Sequence, residues 1–483
     1  MNYSKITFAS AFLAFALSLG ASSLRAQEEP AQQQPPPDAP PKPAAKTFPV
    51  PVILYGDQED DSNRNGLRGD YTPLTGIQNA TLGIPDFEHS YWVPGIQYGA
   101  TVISPPSNQP GSSWYINNYV VGNLSVLDTW SRAQFAFNYS GGGYFSSDSS
   151  QGNGQYQTVG LSETFHSDRW LFQVLDQFSY LPQSSFGFGG GTNLGVPGVG
   201  GSLGSSGPGL GNNFVPNQSL AGFGPRYSNA AGLQFTYALS KRSSFTAYGT
   251  YGLLTFINPG NFDSTTLSAG FGYNYAITRR DTIGVVYRFT NDQYPGNPQA
   301  YADQTASFAY GRKITGRIGL QLLAGPEYTR FRIPIGTTSS QLGASVSAYL
   351  TYGFEKGSIT GGYNHGLSGG SGVLIGSISD QVNLGVSRKL TRPWTGFLSV
   401  GYAHNRPVVS SATAGASYNS TYVGGGVGRP FGRNLNFSVA YTASINNTGS
   451  GGCTGQGCGT NYNYQTVTIN VQWHTRPFLI PSF

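Results

Sequence analysis

The sequence predicts an all-β chain, a transmembrane antiparallel up-and-down β-barrel of about 16–18 strands. Three observations predict it. Only 10% of the 483 residues are charged, against roughly 25% in an average soluble domain. From Trp92 onward, segments alternate apolar with small or polar residues, a period of two that separates the faces of a strand. The connections between these segments are alternately short and charged, and long and rich in Gly, Ser and Asn. A soluble sandwich array or propeller would carry more charge on its solvent face and turns of similar length on both sides.

The composition agrees. The 68 Gly, 31 Tyr and 29 Phe suit turns and interfacial girdles. Mean hydropathy is −0.24. After the N-terminus no stretch has the roughly 20 apolar residues of a spanning helix.

Four segments follow in order. Residues 1–26 read as a signal peptide, with Lys5, an apolar run from Ile6 to Gly20 and a small residue, Ala26, at the expected cleavage point. Residues 27–51 form a Pro-rich periplasmic linker. Residues 52–90 form an acidic segment expected to act as a periplasmic plug. Residues 91–483 carry the barrel.

The strands are read from their alternation. Between Asn434 and Asn446, Leu435, Phe437, Val439, Tyr441, Ala443 and Ile445 share one face. In the last strand, near 462–474, Val467, Ile469, Val471 and Trp473 do the same. Ile283, Val285, Tyr287 and Phe289 make another row. Short turns are expected at Leu127–Arg132, His166–Arg169, Ser240–Ser243, Thr278–Asp281, Arg312–Arg317, Glu355–Ser358, Lys389–Pro393 and Arg429–Arg433. Longer loops are expected at 146–153, 182–227, 291–299, 332–339, 406–413 and 447–461. Eight turns give about 16 strands, and a strand near 92–103 with the last one gives about 18. Pro94 interrupts the first. Lipid cannot satisfy backbone N–H and C=O groups, so such a sheet must close on itself.

In its signal peptide, strand rhythm and terminal Phe483 the chain resembles the porin-like bacterial outer-membrane β-barrels. The resemblance is architectural and rests on no specific motif. Pro477 and Pro481 separate Trp473 from Phe483, unlike barrels that end their last strand on the terminal aromatic. The resemblance implies a location in the outer membrane and a homo-oligomer, the latter by analogy alone.

Little in the sequence points to chemistry, and neither enzyme activity nor a cofactor is expected. The five histidines are His89, His166, His365, His404 and His474. His166 neighbours Asp168 in a short turn, and His365 and His404 fall near outer strand ends with no carboxylate close in sequence. Asp57, Glu59, Asp61 and Asn63 place oxygens at alternate positions and form a weak Ca²⁺ candidate, without the spacing of an EF-hand. Cys453 and Cys458 lie in a glycine loop and read as a local disulfide, because two thiols alone cannot complete a zinc site. Fewer than 70 residues separate Ala26 from the barrel. That excludes the large plug of an outer-membrane transporter of about 22 strands.

Charge is unevenly placed. Without Lys5 and Arg25 the chain has 25 bases and 22 acids, net +3. Residues 27–88 carry ten acids and four bases, net −6, so the rest is +9. Fifteen of the 25 bases lie in or beside the short turns, among them Lys241, Arg242, Arg279, Arg280, Arg312, Lys313, Arg388, Lys389, Arg429 and Arg433. They predict a basic collar at the periplasmic rim, serving either to snorkel toward anionic headgroups or to dock the acidic segment. Leu181 to Pro225 has no charged residue. By its place after the fifth strand it is either a lumenal constriction loop, with Phe186, Phe188, Asn193, Asn212 and Asn213, or a surface loop. The expected function is passive diffusion of small polar solutes through an outer-membrane pore. The alternative is a non-enzymatic surface or structural barrel, adhesin-like, with a filled or plugged lumen. Expected partners are outer-membrane lipid and small solutes, and no nucleic acid.

Overall fold

The computed structural model describes the chain from Ser90 to Ile480, except 105–112, 131, 149–152, 168, 182–219, 222–225, 241, 258–261, 279, 316, 333–337, 369–370, 373–375, 409–416, 433, 449–461 and 477. The expected signal peptide and linker, nearly all of 52–90, Asp57, Glu59, Asp61, Asn63, Cys453 and Cys458 lie outside these residues. So do Phe186, Phe188, Asn193, Asn212, Asn213, Lys241, Arg279, Arg433 and Phe483.

Eighteen long strands form one antiparallel wall. They are β1 (Tyr91–Ile103), β2 (Tyr115–Thr129), β3 (Ala133–Ser146), β4 (Gly154–His166), β5 (Trp170–Leu181) and β6 (Arg226–Ala238). Then come β7 (Ser243–Phe256), β8 (Ser264–Ala276), β9 (Asp281–Gln293), β10 (Ala300–Lys313), β11 (Ile318–Arg332) and β12 (Thr338–Phe354). The last six are β13 (Gly357–Ser368), β14 (Ser377–Lys389), β15 (Thr395–Pro407), β16 (Tyr418–Phe431), β17 (Leu435–Thr448) and β18 (Tyr462–His474). Each pairs with its sequence neighbours, and β1 pairs with β18 from Gly95↔His474 to Ile103↔Thr466. The sheet is therefore a closed barrel, which leaves no lipid-exposed edge.

All eight short turns fall where the sequence places them, at one rim, and the long connections fall at the other. Three connections absent from the sequence reading, 104–114, 257–263 and 369–376, complete the long-loop rim. Three of the short turns have a shared physical cause. A Ser or Thr hydroxyl accepts the backbone N–H groups two and three residues on: Ser240 from Arg242 and Ser243, Thr278 from Arg280 and Asp281, Thr315 from Arg317 and Ile318. The basic residues are thereby displayed at the turn tips.

Pro94 does not break β1. On its β18 side it lies between two stretches of pairing, Tyr91–Trp92 with Phe478–Leu479 and Gly95 with His474. Its missing N–H falls at this gap, where a proline is tolerated. The segment after β18 joins the wall through Phe478, stacked on Trp92 at 4.6 Å.

Most of the outward face is apolar. Val285, Leu267, Phe271, Phe308, Leu384 and Ile469 are exposed, as lipid-facing side chains are. Near its long-loop edge a tyrosine device repeats on five hairpins. The hydroxyls of Tyr98, Tyr287, Tyr363, Tyr402 and Tyr441 donate diagonally to Asn118, Gln304, Asp380, Asn419 and Gln465 on the next strand, at 3.1–3.2 Å. A ring in the apolar layer with its hydroxyl satisfied suits a membrane–water boundary. At the other edge Arg429 lies over the rings of Phe431 and Trp394, at 4.7 and 5.6 Å.

Candidate functional site: the barrel lumen

Alternation turns the polar half of each strand inward. Gln97, Thr101, Gln173, Gln234, Thr236, Thr246, Thr250, Asn274, Thr468, Asn470 and Gln472 are inward and buried. These amides and hydroxyls meet in register, Gln97 beside Gln472, Gln173 beside Gln234 and Thr236 beside Thr246. Tyr119 donates to Asn470 across Gly99. A Cβ on Gly99 would clash with the hydroxyl end of Tyr119 and with the Asn470 side-chain oxygen.

The wall is not evenly covered. On β5–β8 and at the β1–β18 seam the inward side chains are buried, whereas Gln341 and Gly343 on β12 and Asn383 on β14 are exposed. The solvent-reached lane runs along the β12–β14 side.

Inward charge gathers beside that lane. Arg288 on β9 approaches Asp303 on β10 and Glu327 on β11, at 3.7 and 3.9 Å. Its other recorded polar contact is the Thr305 hydroxyl at 3.4 Å. Asp303 accepts from Thr305 and Thr329, at 3.1 and 3.3 Å. Glu327 accepts the Leu367 N–H at 3.1 and 3.2 Å. Asp292 accepts from Thr266. Three carboxyl groups share this side of the lumen with one guanidinium. The sequence reading missed this patch, because residues 15 to 40 apart meet only once the register is known.

Toward the long-loop end from the patch, Tyr294, Tyr301, Phe331 and Leu367 form a buried cluster with Val408 against it. Tyr294 and Tyr301 meet edge to face at 5.9 Å. Gly376, at φ +66°, permits the approach, since a Cβ there would strike the Tyr301 ring. Leu220–Ala221, from the connection between β5 and β6, pairs in parallel with Ser371–Gly372, from the connection between β13 and β14. These connections stand eight strand positions apart around an 18-stranded ring, almost opposite one another.

The remaining sequence candidates are placed as follows. Arg242 and Arg280 lie exposed in short turns, and Arg388, Lys389 and Arg429 lie at strand ends on the same rim. Lys313 closes β10 there. Arg312 faces outward and approaches Asp281 at 3.6 Å. On the outward face, His365 Nδ1 meets Asp380 Oδ1 at 2.6 Å, and His404 Nδ1 meets Asn419 Oδ1 at 2.5 Å. Among the described residues no serine or cysteine is hydrogen-bonded to either ring.

The fold is a closed 18-stranded antiparallel β-barrel with a polar interior. No family model and no curated protein matches the chain. Solved structures that resemble it include OpdQ of Pseudomonas aeruginosa, at 10% identity over 81% of this chain and 100% of that one, with a TM-score of 0.41. OpdK of the same organism with vanillate gives 9%, 81% and 100%, with a TM-score of 0.43. A BenF-like porin of Pseudomonas fluorescens Pf-5 gives 10%, 80% and 99%, with a TM-score of 0.42.

Proposed function

We propose that the chain is an outer-membrane pore for passive diffusion of small polar solutes, and not an enzyme. One observation carries the reading: a closed 18-stranded wall whose inward face is built from amides and hydroxyls, with a solvent-reached lane along β12–β14. Amides and hydroxyls exchange hydrogen bonds with neutral solutes, and the charged groups beside the lane set its ionic preference. The loop between β5 and β6 acts as the constriction in this reading. The pairing of its end with Ser371–Gly372 supports a path across the mouth.

Residues 1–26 act as an export signal, and Cys453 and Cys458 form a disulfide. The acidic 57–70 segment docks on the basic rim and partly closes it. Purified full-length protein in a planar bilayer should give discrete conductance steps, and deletion of 27–88 should enlarge them. The second reading is a structural barrel with a filled interior. It is favoured by the buried inward side chains of β5–β8. Absence of steps from both the full and the truncated chain would select it.

A further inference from the structure

We propose that the lipid-facing surface at the long-loop end of β10–β12 binds the phosphate of an anionic lipid headgroup. The site is separate from the lumen and does not depend on conduction.

Arg330 and Arg332 alternate along β11 with inward Thr329 and Phe331, so both point outward. Each is exposed, and neither has a carboxylate or other polar partner among the described residues. The other arginines at this end of the strands differ. Arg226 is buried, and Arg406 faces Asp380 at 3.8 Å. An outward pair of guanidiniums without a counter-ion is a surface that asks for an anion.

The neighbours leave room for one. Arg330 is flanked in register by Ala302 on β10 and by exposed Ser340 on β12, and Arg332 has Ala300 beside it on β10. Two alanines cannot cover long side chains, and the Ser340 hydroxyl adds a donor. Positions two apart on a strand lie about 7 Å apart, within reach of one shared phosphate for side chains of this length. The guanidinium fork matches phosphate oxygens in bidentate fashion, which an ammonium does not.

The level on the barrel selects a lipid. The next outward residues toward the apolar layer are Tyr328, 43% exposed, and Leu342, 72% exposed. They sit side by side in register. Gln304, on the other side of Tyr328, accepts from the boundary tyrosine Tyr287. The arginines therefore stand just above the boundary, with an acyl-compatible surface below. A molecule with a phosphate above and hydrocarbon below fits both parts.

The test uses the full chain in neutral detergent, read by native mass spectrometry. The probes are a bis-phosphorylated glycolipid, the same lipid after phosphatase treatment, and inorganic phosphate. The phosphorylated lipid should bind at least tenfold more tightly than the dephosphorylated one. Arg330→Gln with Arg332→Gln should remove that preference, and Arg330→Lys with Arg332→Lys should fall between. Equal binding of both lipids, or an unchanged preference in the Gln variant, overturns the proposal. Inorganic phosphate binding as tightly as the lipid overturns the lipid source. Heat-dependent gel mobility checks that each variant is folded, and the wild-type lipid comparison decides even if one is not.

Discussion

At Gly99 the absence of a side chain is a packing requirement. Tyr119 on β2 reaches over this glycine to Asn470 on β18, so one hydrogen bond ties three strands across the closure. Gly99→Val should force the ring aside and destabilise the barrel by about 1–3 kcal/mol. Thermal unfolding in detergent would show it as a lower midpoint. Tyr119→Phe should cost about 1 kcal/mol, since it removes a buried hydrogen bond. Arg288 is a second residue whose removal has a direction. Its ion-pair distances of 3.7 and 3.9 Å make it a loosely held positive charge among three carboxylates. Arg288→Ala should shift the reversal potential in a salt gradient toward cations. Asp303→Asn with Glu327→Gln should shift it toward anions. Equal reversal potentials in all three proteins would place the patch outside the conducting lane.

At the scale of elements, the connection between β5 and β6 is the part whose position matters most. Its end pairs with Ser371–Gly372, so Ala221→Cys with Gly372→Cys should form a disulfide on oxidation, the neighbouring backbones lying about 5 Å apart. Oxidation should then alter conductance, and a reductant should restore it. How much of this was legible follows from range. The strand rows and all eight short turns are local patterns, a period of two and short runs that carry basic residues. The sequence shows them directly. Pro94 was misleading because its tolerance depends on a gap in pairing with β18, hundreds of residues away. The His365–Asp380 contact, the Arg288 patch and the mouth-crossing pair were hidden for the same reason. Each needs a register that alternation alone does not supply.

For the whole molecule, the two faces of the wall answer to different solvents. The outward face meets lipid between two polar boundaries, one made by tyrosine hydroxyls with diagonal partners and the other by arginines over aromatic rings. The inward face meets water along one side only. This predicts an off-centre path. Cysteines placed at Gln341 and Asn383 should react with a small water-soluble reagent in the folded protein, and cysteines at Gln234 and Thr246 should not. Uniform labelling of the four would describe a centred, fully wet lumen. The sequence alone yielded a polar interior but no lane, because accessibility depends on what lies opposite each residue.

The meeting of β1 with β18 also sets the order of assembly. Thr101 and Thr468 touch across that seam although 367 residues separate them. Every other adjoining pair of long strands is consecutive in the chain. Loop closure over such a distance is entropically the costliest step, and contacts of this range form late. Until it is made, the nascent sheet carries two unsatisfied borders, each a template for a foreign strand. A synthetic peptide with the sequence of β18 should therefore arrest refolding when present from the start. The same peptide should be inert once the ring has shut.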